Sequence, residues 1–85
     1  MNIYLISQNH NNDYDTYDSA VVVAATAEDA RVMHPNGRNE DMLDQNKNDK
    51  SCDWVSDPLL VDTKFIGVAA KNLQRSVILA SFNAG

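Results

Sequence analysis

The chain has 85 residues and a mass of 9.4 kDa, with 44% hydrophobic residues, 7% aromatic residues and a net charge of −5. That is room for one domain with a thin core, without the basic clustering that a grip on nucleic acid or on an acidic membrane surface requires. A single cysteine, Cys52, excludes an internal disulfide and a cysteine-built zinc cage.

Ile3-Tyr4-Leu5-Ile6 is a short apolar run of strand formers and predicts a first strand over 2–8. The segment Asn9–Asp18 is rich in Asn and Asp, which bond their own backbone, and reads as a loop with two tyrosines in it. Ser19–Ala25 carries three consecutive β-branched valines and predicts a second strand with both faces apolar. Thr26-Ala27-Glu28-Asp29 has the pattern of a helix N-terminal capping box. The helix it opens must end by His34, because Pro35 disfavours helical geometry in the residue before it.

Pro35-Asn36-Gly37 is a turn signal, and the polar stretch 36–53 is expected to be a long, flexible loop, with a short helix near Asn39–Gln45 conceivable within it. A third strand is predicted around Leu60–Ala69, with Val61, Thr63 and Phe65 on one face, Asp62 and Lys64 on the other, and a bulge or close approach at Gly67. Ala70–Gln74 makes a turn, and Arg75–Phe82 is the fourth strand. The expected architecture is α+β: a four-stranded antiparallel sheet in the order ββαββ, with one short helix on one face, forming a single domain over 1–85.

One helix covers one face only. The other face is expected to pair with a second copy of the chain, with Val22, Ile66 and Ile78 as the candidate residues for that homodimer.

Catalytic and ligand motifs do not assemble. An EF-hand loop begun at Asn11 would put Asp13 and Asp15 in place, but it needs Gly where Thr16 stands and Glu where Val22 stands. His10 and His34 read as loop and helix-end residues rather than as ligands, and nothing beside Cys52 would activate its thiol. The serines lack a nucleophile-elbow setting, and Gly37, Gly67 and Gly85 cannot make a phosphate loop. The expectation is a protein that is not an enzyme and has no cofactor and no metal.

The charge is uneven. Residues 1–62 hold all twelve acids and four basic residues, a charge of −8, whereas 63–85 carry +3. Set among those acids, Tyr14, Tyr17 and Trp54 either fold onto the core edge or serve as binding anchors, since aromatic residues dominate interface hot spots. The partner-binding candidates are therefore Asp13, Tyr14, Asp15, Tyr17, Asp18, Asp53 and Trp54.

The segments Tyr4–Gln8, Tyr14–Val22 and Ile78–Gly85, with a helix carrying Glu28, Ala30 and Arg31 that runs into His34-Pro35, resemble a family of very small proteins encoded by bacteriophages and prophages. About half the chain is covered, and the resemblance brings no catalytic residues with it. It implies a setting among accessory proteins that inhibit bacterial defence, such as the anti-CRISPR proteins, at the level of analogy.

Three functions are consistent with the sequence. The first is a stoichiometric inhibitor of a host defence protein, whose acidic loops Asn9–Asp18 and Asn39–Asp57 would meet a basic nucleic-acid channel of the target. The second is a sponge for a nucleotide signal, stacking the base on Tyr or Trp and holding phosphates with Arg31, Arg38 or Arg75. The third is a virion accessory protein. The first is preferred, acting in the bacterial host cytoplasm, because residues 1–8 have no basic region or long apolar core of a signal peptide and no stretch is long enough to span a membrane.

Overall fold

The computed structural model describes residues 1–10, 16–37, 54–55 and 57–83. Four strands, β1 (Asn2–Ser7), β2 (Thr16–Ala24), β3 (Asp62–Val68) and β4 (Ser76–Asn83), form one antiparallel sheet; a short helix, α1 (Ala27–Arg31), and a 3-10 turn at Pro58–Leu60 lie between β2 and β3. The α+β class and the ββαββ order expected from the sequence are those of the structure. The suggested helix near Asn39–Gln45 and the loop at 36–53 fall, beyond Gly37, outside the described residues.

The spatial order is β3-β1-β2-β4. β1 and β2 pair as sequence neighbours, but β3 and β4 do not: each takes one free edge of the central pair. The seven residues 69–75 therefore cross the end of the sheet. This order gives both central strands two hydrogen-bonded edges, and they are the strands richest in buried side chains.

Side chains alternate across the sheet, so the register fixes which residues share a face. Tyr4, Ile6, Ala20, Val22 and Ala24 join Ala30, Met33, Trp54, Val55 and Val61 in the core on the helix side. Ile6 and Val22 are fully buried there. Alanines at 20, 24 and 30 let the short helix lie close to the sheet.

Thr26 caps α1 in extended geometry, its Oγ1 accepting from the Asp29 N–H at 3.1 Å. The return half of the capping box is replaced. Asp29 instead accepts from Arg75 Nε, 3.0 Å from each carboxylate oxygen, which ties the residue before β4 to the helix. The helix stops at Arg31, three residues short of the limit that Pro35 sets. A helix of five residues has no stability of its own, so its cap matters. Thr26→Ala is expected to cost about 1 kcal/mol, read as a lower urea midpoint at unchanged slope.

Three register shifts mark β-bulges. The extra residues are Asp18 in β2, Ile66 in β3 and Ile78 in β4. The bulge anticipated at Gly67 is therefore present one residue earlier, and a Cβ at Gly67 would meet nothing within 4 Å, so no close backbone approach explains that glycine. β2 also starts earlier than the sequence indicates, because Thr16 and Tyr17 are drawn into the ladder with β4, with Asp18 bulged between Tyr17 and Ser19.

Candidate interaction surface

Of the seven residues expected to bind a partner, Tyr17, Asp18 and Trp54 are described. Asp13, Tyr14, Asp15 and Asp53 lie outside the described residues. Trp54 is only 2% exposed and belongs to the core, so it is no surface anchor. Its polar sequence neighbours hide its place among the core side chains. Tyr17 and Asp18 remain, and they are together at the start of β2.

Tyr17 is half-buried and leans on the core. Its ring meets Phe82 of β4 edge-on, with centroids 4.8 Å apart, and His34 edge-on at 6.0 Å. Such aromatic pairs contribute about 0.5–1.5 kcal/mol beyond the area they bury. Gln8 is buried beside this cluster. Its Nε2 donates to the Tyr17 carbonyl at 3.0 Å and its Oε1 accepts from the His10 N–H at 2.8 Å. His34 is buried as well, and its Nδ1 accepts from the Asn36 N–H at 3.1 Å, which places the proton of a neutral ring on Nε2. Gly37 closes this turn at φ 75°, a conformation that favours glycine.

The result is a braced aromatic platform of Tyr17 and Phe82, with the exposed Asp18 next to Tyr17 in the chain. Asp18, the bulge residue, projects a carboxylate that accepts from Ser19 Oγ at 3.2 Å. Phe82 is 46% exposed even though its ring packs on Tyr17. Sequence reasoning misses Phe82 as a site residue, because its pairing with Tyr17 joins positions 65 residues apart and leaves no local pattern.

The residues expected at a self-association surface separate too. Val22 is fully buried beneath the helix and so cannot lie on the opposite face. Ile66 and Ile78 are about half exposed, at 53% and 51%, but both are bulge residues, for which simple alternation does not assign a face. The face away from the helix is built from other residues, in three rows that cross the sheet in the order β3, β1, β2, β4. They are Asp62–Ser7–Ser19–Ser81, Lys64–Leu5–Val21–Leu79 and Gly67–Ile3–Val23–Ser76. Leu5, Val21 and Leu79, with Ser19 and Ser81, line a shallow groove of about 260 Å³.

Of the arginines considered for phosphate binding, Arg75 is bonded to Asp29, Arg31 is half-buried, and Arg38 lies outside the described residues. No described helix is long and apolar enough to cross a membrane. Among the described residues no three His, Cys, Asp or Glu side chains gather around a common point. Comparison with protein-family models, curated proteins and solved structures found no match.

Proposed function

We propose that this chain is a non-enzymatic protein-binding module of phage type, which inhibits a host protein by stoichiometric occupation of a basic, nucleic-acid-binding channel. The observation that carries this reading is the platform at the start of β2. There an exposed carboxylate, Asp18, follows Tyr17 in the chain, and the Tyr17 ring packs edge-on against the exposed Phe82 of β4. An aromatic anchor next to acidic charge suits a channel lined by Arg and Lys. The −8 carried by residues 1–62 would steer such a partner and compete with phosphate for it. The resemblance to very small phage-encoded proteins is consistent with that role by analogy with anti-defence accessories, and a CRISPR-associated component is the target class that analogy favours.

The test is capture of partners from a bacterial host lysate on the immobilised chain, followed by challenge with nucleic acid. The expected result is a basic protein retained in about equimolar amount and released by single- or double-stranded nucleic acid. Asp18→Lys and Phe82→Ala should each weaken retention at least tenfold while leaving the circular dichroism spectrum unchanged. Retention that nucleic acid does not disturb, or that survives both substitutions, would overturn the reading.

A further inference from the structure

The sheet face opposite the helix has a composition unlike the rest of the molecule. Its central row, Leu5–Val21–Leu79, is apolar, and its flanking row holds Ser7, Ser19 and Ser81. Among the described residues its only charges are Asp62 and Lys64, side by side on β3, which cancel. The chain as a whole carries −5. A partner chosen by charge gains nothing from this neutral face, whereas a second copy loses nothing there. Leu79, 69% exposed, stands at the rim of the groove floored by Leu5 and Val21.

We infer that this face binds a second copy of the chain, about a two-fold axis that runs parallel to the strands between β1 and β2. That axis lays β3 over the partner's β4 and β1 over the partner's β2. Leu5 then meets Val21 of the partner subunit, and the Lys64 stem lies along Leu79 of the partner subunit with its ammonium free to reach water. Ser7 faces Ser19 of the partner subunit, Asp62 faces Ser81 of the partner subunit, and no like charges are superposed. An axis across the strands through the same row would instead stack Lys64 on Lys64 of the partner subunit, so charge selects the first arrangement.

The area sets the strength. Four strands at about 4.8 Å and seven residues at about 3.3 Å make a face of roughly 440 Å² per copy, or about 900 Å² for the pair. Val23 is already fully buried within the chain, which trims that figure further. This is below the roughly 1,200 Å² at which standard interfaces begin, so the dimer is a weak one, populated at micromolar concentrations and above. Both copies would point their Asp18–Phe82 platforms toward the same end, so like charge opposes the association and added salt should strengthen it.

Sedimentation equilibrium over low to high micromolar concentration, at two ionic strengths, reads this directly. The expected result is a mass rising from 9.4 kDa toward twice that value, with tighter association at the higher salt. Leu79→Lys, at an exposed position, should keep the native circular dichroism spectrum and weaken the dimer at least tenfold. Adding Lys64→Asp to it should restore association, because the axis sets these two positions against each other. A mass of 9.4 kDa at high micromolar concentration in both salts, a dimer untouched by Leu79→Lys, or a double variant that stays monomeric would each overturn the inference.

Discussion

Trp54→Ala is expected to cost about 3–5 kcal/mol, the range for truncating a large buried aromatic. An 85-residue domain at ordinary stability per residue has only about 4–13 kcal/mol in total, so the substitution consumes much of it or all of it. The indole is 2% exposed and packs in one cluster with Tyr4, Ile6, Val22, Met33 and Val61, which come from four separate parts of the chain. Its removal therefore loosens the helix side of the sheet at several points at once. Urea unfolding of the two proteins measures the effect. An unchanged midpoint would put the indole on the surface, where a partner rather than the core would feel its loss.

The contrast with Phe82 shows how far composition alone can guide the search for a site. Both are aromatic residues near polar neighbours, and Trp54 is the one that looks like an anchor in the sequence. Exposure reverses the order: Trp54 is buried and Phe82 is 46% exposed. What decides it is the strand order. β4 lies at the edge beside β2, where Phe82 stays exposed, while Trp54 packs among the core residues on the helix side. Edge position depends on long-range pairing, which no local window contains.

Periodicity is a better guide within the strands than between them. Val61, Thr63 and Phe65 are separable from Asp62 and Lys64 by spacing alone, and the register puts Phe65 opposite Tyr4 and Lys64 opposite Leu5, on the two faces. Tyr4 and Phe65 meet edge-on at 5.8 Å. The capping signal at Thr26 is likewise local, and it marks the start of α1. Alternation fails where a bulge inserts one residue, at Asp18, Ile66 and Ile78, because a single extra residue moves all later positions of the strand to the other side of the count. Two of the three residues expected at the self-association surface, Ile66 and Ile78, fall on those positions. The open face is therefore centred on Leu5, Val21 and Leu79 instead.

Val21 and Val22 of β2 provide the sharpest check of that assignment, because neighbours of identical chemistry are sent to different surroundings. Val22 pairs with Tyr4 and Val77 on the helix side and is fully buried. Val21 pairs with Leu5 and Leu79 on the face away from the helix and is half-buried. Val22→Asp would place a carboxylate in the apolar core with no cationic partner among the core residues, and the burial of an unpaired charge exceeds what a small domain can absorb. An unfolded chain is expected, with loss of the strand signal in circular dichroism. Val21→Asp lets the carboxylate stay in contact with water, so its cost should be on the order of the 1 kcal/mol span of strand preferences. At concentrations too low for self-association, that variant should stay folded, with a modestly lower urea midpoint. Equal losses for the two variants would mean that both faces are buried alike, and loss of structure in Val21→Asp alone would mean that the register is one residue out.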